Sequence, residues 1–346
     1  MNPKGLFWSQ FVAPLAKQTS SRICLEFRMK RRYTLSILAS LIALAIVGLA
    51  ICRIVQYRAD AARLMHDTDI NATQRQTGRK TKCTLILNVY DRVHTLREQL
   101  GHYHKFEILE RIVVVWNHQT LNPPFKVSQY LLEPGDSDGS IGDEKDASIR
   151  FKIPVVILKQ KQDSLNSRYM PFPEVETDCV ISMDDDYQVP EESLKIHLTL
   201  FEGSHNDQLI GFKFVARSHK KIAPRKWDYI VEPKNGFSIV LPSGAVFHRK
   251  YLQMYADLPR RAHEIVDEKV NGEDILFNLM VANATGKPPV FVDAMMTLKP
   301  HKGGLWQRKG HLQARNWCLT ALVNEVFDGK MPLVKTDEVL KLIVQN

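Results

Sequence analysis

The sequence predicts an α/β fold, a doubly wound and mainly parallel sheet clad by helices, placed after one N-terminal membrane-spanning helix. Three observations carry this expectation. From residue 83 onward, short β-branched apolar runs alternate with amphipathic stretches. The runs are continuously apolar, as in strands buried on both faces of a parallel sheet. Ahead of them, residues 33–52 form a stretch of 20 residues without a charge.

The elements follow in chain order. Residues 1–32 hold seven Lys/Arg against Glu26, or +6 of the formal +9, and read as a basic tail. The remaining 314 residues carry only +3. That imbalance excludes a bulk nucleic-acid partner, because the excess cations sit in the tail. Residues 33–52 match the ~20 residues needed to cross a ~30 Å hydrocarbon core, and exceed the ~7–15-residue apolar part of a cleaved signal peptide. Six Lys/Arg lie in the 20 residues before this span and three in the 20 after it. Positive flanks stay cytoplasmic, so a single-pass type II topology is expected, with residues 82–346 in a lumen. Polar residues 53–81 read as a stem. Asn71 and Asn283 head sequons, candidate glycosylation sites that agree with a secretory lumen. Five cysteines without CxxC spacing exclude a disulfide scaffold and a zinc site.

Predicted strands are TLILNVY (84–90), RIVVVWN (111–117), IPVVILK (153–159), CVISMDD (179–185) and LIGFKFV (209–215). Between the first two, Val93, Leu96 and Leu100 at i, i+3, i+7 predict a helix that covers one face. Pro190 suits the first position of a helix over 190–201. Together these make a βαβ pattern. Residues 133–148, rich in Gly, Ser and acids, predict a surface loop. FSIVLPSGAVF (237–247) reads as two short strands around Pro242-Ser243-Gly244. Further helices are expected over 272–285, stopped by Gly286, and over 311–327. Neither an internal repeat nor a Walker or GxGxxG phosphate loop is present.

Chemistry concentrates at Asp184-Asp185-Asp186, directly after an apolar run. In open parallel sheets ligands bind beyond the carboxyl ends of strands. Adjacent carboxylates repel one another, and a hard cation relieves this. A solvated turn would bring Gly, Asn or Pro beside the acids, whereas Tyr187 follows them here. Oxygen ligands favour Mn²⁺ or Mg²⁺. A strand-end DxD without a phosphate loop points to a nucleotide-sugar diphosphate. A second feature is RSHKKIAPRK (217–226), with Arg217, Lys220, Lys221, Arg225 and Lys226. It reads either as a solvated loop or as a surface for an anionic acceptor.

An ordered set of blocks resembles the exostosin-type domain of glycosyltransferase family 64. These are TLILNVYDR (84–92), VVVWN (113–117), SLNSRY (164–169), the DDD, LIGF (209–212), NGEDILFN (271–278), the stretch from Trp306 to Cys318, and KMPLV (330–334). The resemblance covers residues 83–335 and implies a GT-A-like fold. It implies an Mn²⁺-dependent enzyme that retains anomeric configuration and moves an N-acetylhexosamine or mannose from a UDP- or GDP-sugar to a glycan or glycolipid acceptor. It implies a Golgi or ER membrane location. By position, Asn88, Arg92 and Asn117 match the nucleotide edge, Asn166 and Arg168 a block reaching nucleotide and sugar, Asp184 and Asp185 the donor, and Asp186 the metal. Asp274 matches the catalytic carboxylate, and Arg315 the arginine that contacts the diphosphate. Read alone, Asn117 is also a capping residue, Arg168 an ion-pair partner, Asp274 a first-turn acid suited to a helix dipole, and Arg315 a solvated helix residue. Trp306 and His311 suit sugar stacking or core packing. Members commonly carry a Cys where Gly272 stands, bridged to the position of Cys318; here that bridge is impossible, so looser attachment of the helix bearing Arg315 is expected. A non-catalytic lumenal partner of another transferase is the alternative. Spacing leaves open whether Cys83 and Cys179 pair.

Overall fold

The computed structural model describes residues 81–123, 131–132, 151–299 and 304–340. The chain divides into two units, Met1–Ile70 and Asn71–Asn346, and the described residues all belong to the second. The predicted tail, membrane span, stem up to residue 80, sequon Asn71 and loop 133–148 lie outside the described residues. Among the described residues, no helix is long and apolar enough to cross a membrane.

The βαβ expectation appears as a parallel core. β1 (Cys83–Val89) leads through α1 (Val93–Tyr103) to β2 (Leu109–Trp116), and β3 (Leu131–Leu132) and β4 (Val155–Lys159) follow. A 3₁₀ turn at Leu165–Tyr169 precedes β5 (Cys179–Asp184), β6 (Tyr187–Gln188) and α2 (Glu191–Glu202). Then come β7 (Ile210–Phe212), a 3₁₀ turn at Lys213–Val215, the hairpin β8 (Ser218–Ala223) and β9 (Lys226–Ile230), and β10 (Ala245–His248). Helices α3 (Lys250–Ala256), α4 (Arg260–Lys269) and α5 (Glu273–Thr285) follow. β11 (Val290–Val292), β12 (Thr297–Leu298), a 3₁₀ turn at Leu305–Gln307, α6 (His311–Glu325) and β13 (Val339–Leu340) complete the order.

The main sheet has the order β13-β11-β7-β10-β5-β1-β2-β4-β3. β1 runs parallel to β2 and β5, while β10 is antiparallel to β5 and β7. The carboxyl ends of β1, β2, β5, β7 and β11 therefore share one edge. Strand alternation sends neighbouring residues to opposite faces. Leu85, Leu87, Ile112 and Val114 pack with Leu96 and Leu100 of α1 and Leu194 and Leu198 of α2. Ile86, Val113 and Val115 pack with Ile265 of α4, Phe277 of α5 and Leu322 of α6. Both faces are covered, so the strands read as unbroken apolar runs.

Several expectations change. The strand over 209–215 stops at Phe212, where the chain enters a 3₁₀ turn. Over 237–247 only β10 is a strand; Phe237 and Ile239 make isolated bridges to Thr336 and Arg217. Residues 217–226 belong to a hairpin rather than a loop. Its second strand packs on α6, with Trp227 N donating to Thr320 Oγ1 (3.1 Å) and Tyr229 N to Asn316 Oδ1 (2.8 Å). α3 and α4 went unpredicted because α4 buries only Ala262, Ile265 and Val266 among charged neighbours, a weak apolar stripe.

Cys83 and Cys179 form a disulfide, which resolves the open pairing. They face each other at the start of β1 and β5, on the edge opposite the strand carboxyl ends.

Candidate active site

Parallel pairing brings Asn88, Asn117 and Asp184 to one edge. Asn117 Nδ2 donates to Asn88 Oδ1 at 2.8 Å, and Asn117 Oδ1 is buried without a hydrogen-bond partner. Arg92, just ahead of α1, donates from Nη1 to Asp185 Oδ1 at 2.7 Å. Gln99 of α1 pins the turn by donating to the carbonyls of Asp185 and Tyr187, each at 2.9 Å. Burial outweighs the Arg92 contact and pushes the Asp185 carboxyl up to about 7.

Each of the three aspartates has a distinct setting. Asp184 accepts from Arg168 Nη2 at 2.7 Å and from Ser243 Oγ at 2.5 Å. Asp186 accepts Lys299 N through its carbonyl at 2.7 Å, while its Oδ1 is buried with no partner in the protein. Burial first, and the Asp184 charge second, hold the Asp186 carboxyl above the ordinary range. A divalent cation reverses that balance by favouring the ionised form. The orphaned oxygen suits a hard cation. Among the described residues no group of three or more His, Cys, Asp or Glu converges to hold a metal.

The second half of the site is the start of α5. The chain reaches it through two left-handed residues, Val270 (φ 49°) and Gly272 (φ 90°). A Cβ on Gly272 would lie 2.8 Å from Cys318 Cβ, so glycine permits both the conformation and the close approach of α6. The bends place Glu273 and Asp274 in the first helical turn, buried. Asp274 Oδ2 accepts from Arg315 Nη2 at 2.6 Å, and its Oδ1 accepts Ile275 N at 2.8 Å. Arg315 also donates to Asn271 Oδ1 at 3.1 Å and stacks on the Tyr229 ring, 4.1 Å from its centroid. Burial opposes the Arg315 charge, but Asp274 and Tyr229 hold it firmly protonated. Asn271 Nδ2 reaches His311 Nδ1 at 3.1 Å, and Cys318 Sγ donates to the Asn271 carbonyl at 3.3 Å. With Gly272 no bridge to Cys318 can form, and these polar contacts join α6 to the α5 start.

Arg168 links the two halves. Besides Asp184, its Nε lies 3.7 Å from Glu273 Oε1, while Nε and Nη1 lack hydrogen-bond partners. Burial, then the Asp274 charge, hold the Glu273 carboxyl well above the usual range, against the pull of Arg168.

Other expected residues take different places. The Asn166 amide is engaged at both ends, donating to Asp267 Oδ1 (3.0 Å) and accepting from Tyr255 Oη (2.6 Å). It is buried, so its side chain braces the turn that carries Arg168 rather than offering a free group to a donor. Trp306 is 61% exposed, which rules out core packing. Lys220, Lys221 and Lys226 are exposed on the hairpin, with Lys220 opposite Asp228. The Arg225 backbone carbonyl accepts from Asn324 Nδ2 of α6 at 2.9 Å, and Arg217 Nη1 donates to its neighbour Ala216 O at 3.0 Å. Asn283 is exposed on the last turn of α5.

Sequence reasoning did not single out Glu273, Ser243 or Tyr229. Glu273 was visible only as the neighbour of Asp274. Ser243 lay in a turn signal whose partner is 59 residues away. Tyr229 carries no local signal, since it lies beyond the 217–226 stretch and its place is set by the pairing of β9 with β8.

The glycosyl transferase family 64 domain matches residues 83–342. Exostosin-like 2 of Mus musculus is 31% identical over 266 residues, spanning 72% of this chain and 73% of that protein. Glycosylinositol phosphorylceramide mannosyl transferase 1 of Arabidopsis thaliana is 30% identical over 283 residues, 78% of this chain and 79% of that protein. Exostosin-2 of Homo sapiens is 28% identical over 258 residues, 72% of this chain but 32% of that longer protein. The matched region contains the whole constellation described above, and the chain belongs to glycosyl transferase family 64.

Proposed function

We propose that this glycosyltransferase is metal-dependent and retaining, and that it moves an N-acetylhexosamine or mannose from a UDP- or GDP-sugar to a glycan or glycolipid acceptor. The observation that carries the reading is the single guanidinium of Arg168 between Asp184 and Glu273. It joins the strand-end acids to the α5 acids in one site. In this reading Asn88 and Asn117 take the nucleotide, with the orphaned Asn117 Oδ1 free to accept from it. Asp186, with its partnerless Oδ1, would hold Mn²⁺ or Mg²⁺, which supplies neutralisation of the diphosphate charge. The unpartnered N–H groups of Arg168 orient donor oxygens. Arg315, whose Nε lacks an acceptor, stabilises charge on the departing diphosphate. Asp274, kept in place by Arg315 and Ile275 N, faces the positive charge that develops at the reacting sugar carbon. Retention follows from attack on the same face or from a short-lived intermediate.

The reading extends to location. A disulfide between adjacent strands fits an oxidising compartment, and the uncharged segment at 33–52 fits a type II anchor in the Golgi or ER. The exposed hairpin cations Lys220, Lys221 and Lys226 favour an anionic acceptor.

The test is a donor panel with the detergent-solubilised full chain and Mn²⁺, scoring sugar-nucleotide hydrolysis. Asp274→Asn should keep donor affinity and lower turnover by ~10² or more. An equal fall in affinity makes Asp274 a binding residue. Absence of turnover for every donor, with the fold intact, favours the non-catalytic partner.

A further inference from the structure

We propose that Asp267, in the last turn of α4, is a positioning residue for the transfer: it holds the turn that carries Arg168 and so sets where that guanidinium stands between the strand-end acids and the α5 acids. This inference deepens the reading above and rests on it for the part Arg168 plays. Arg168 needs such help because its side chain is lightly held. Nη2 makes a close contact with Asp184 at 2.7 Å, but Glu273 lies 3.7 Å from Nε, and neither Nε nor Nη1 has a hydrogen-bond partner. Open N–H groups suit the oxygens of a donor. They do not fix the guanidinium beforehand, so its placement falls to the backbone.

That backbone has little order of its own. Leu165–Tyr169 is a single 3₁₀ turn, a geometry with poorer hydrogen bonds than an α-helix. Its bonds from Ser167 N to Ser164 O and from Met170 N to Ser167 O are long, at 3.2 and 3.3 Å. Two anchors from other elements flank Arg168. On one side Tyr169 stacks on Phe277 of α5, with ring centroids 4.0 Å apart. On the other, Asp267 Oδ1 accepts from Ser164 Oγ at 2.6 Å and from Asn166 Nδ2 at 3.0 Å. Ser164 Oγ also accepts Asn166 N at 3.2 Å and so caps the turn. Tyr255 Oη donates to Asn166 Oδ1 at 2.6 Å, which leaves the amide its N–H end to offer α4, and a carboxylate receives it.

Two features separate Asp267 from an ordinary surface acid. The helix dipole disfavours a negative charge in a last helical turn, so the stability of α4 does not account for it. It also stands just before left-handed Val270, where the chain bends into α5 and delivers Glu273 and Asp274. One carboxylate thus fastens the Arg168 turn to the segment that carries the α5 acids, and the approach of Arg168 to Glu273 depends on both.

The experiment compares the detergent-solubilised full chain with Asp267→Ala, Asp267→Asn and, as the control, Glu268→Ala, which removes the neighbouring exposed acid. Hydrogen exchange of residues 164–170 is followed by mass spectrometry, with α6 as the reference. Asp267→Ala should speed exchange in 164–170 and not in α6. Asp267→Asn, which keeps an acceptor oxygen, and Glu268→Ala should leave it at the parent rate. The second measurement is donor hydrolysis with Mn²⁺. Asp267 is exposed, so Tm should shift little in Asp267→Ala. Its kcat/KM should fall by up to ~10²-fold, the scale of a ~1 Å misplacement at a reacting centre, and Asp267→Asn should restore most of the loss. In an Arg168→Lys background Asp267→Ala should cost little more, because both changes act through one group. Losses that multiply in the double variant, or that Asp267→Asn does not relieve, make Asp267 a structural residue and overturn the proposal. Unchanged exchange over 164–170 in an active parent and its Asp267→Ala variant overturns this inference alone. A parent that hydrolyses no donor overturns the reading above and this inference with it.

Discussion

Replacing Arg315 by Met removes three contacts at once: the 2.6 Å pair with Asp274, the 3.1 Å bond to Asn271 and the stack on Tyr229. Asp274 is 1% exposed, so its carboxylate loses its counter-ion without gaining water. Breaking one partner of a buried pair costs ~3–5 kcal/mol. The lost stack adds ~1–2 kcal/mol in a desolvated setting. The sum is ~4–7 kcal/mol, or roughly 8–14 °C in Tm at ~2 °C per kcal/mol for a domain of this size. The double variant Asp274→Asn/Arg315→Met removes the stranded charge but not the lost stack. It should therefore recover most of the deficit and retain only ~1–2 kcal/mol of it. Thermal and urea unfolding of the full chain at neutral pH measure both. Donor hydrolysis should be absent from single and double variants alike, which separates chemistry from stability. A single variant that loses less than ~1 kcal/mol, or a double variant as unstable as the two singles combined, refutes the idea of a charge-balanced buried pair.

Other perturbations probe the surroundings. Asp186→Asn should leave Tm unchanged or higher, because one repelling carboxylate is removed, while abolishing Mn²⁺-dependent nucleoside-diphosphate binding by calorimetry; unchanged affinity excludes that residue as the metal ligand. Gly272→Ala should cost ~2–4 kcal/mol, from a left-handed non-glycine residue and a Cβ 2.8 Å from Cys318 Cβ, and parental stability would show that the bend is dispensable. Val270→Gly should be neutral or stabilising by up to ~1 kcal/mol, since the exposed valine sits at φ 49°. His197 is fully buried and its pKa is pushed down by burial to about 4. An unfolded chain binds its proton first, so stability falls as pH drops from ~6.5 towards 4, by up to ~1.4 kcal/mol per pH unit. His197→Gln should flatten the urea-midpoint profile over that window relative to the parent, and parallel profiles would contradict this.

Much of the fold was legible because its strands are buried on both faces. Leu85, Ile86 and Leu87 are apolar without alternation since α1 and α2 cover one face and α4 to α6 the other. α4 escaped notice because its few apolar residues rely on partners from elsewhere in the chain. The hairpin at 218–230 escaped because its order comes from α6 side chains almost a hundred residues later.

The sequence by itself determined the α/β class, the strand-end position of the Asp cluster and the family, because these depend on local periodicity and on residue types in order. Only tertiary structure decided which groups meet. It joined Cys83 to Cys179, committed Asn166 to Asp267 and Tyr255, set Ser243 on Asp184 and slid Tyr229 under Arg315. The physical reason is range: strand and helix patterns repeat over a few residues, whereas a buried charge is stabilised by whichever partner the packed sheet and helices bring within about 3 Å of it.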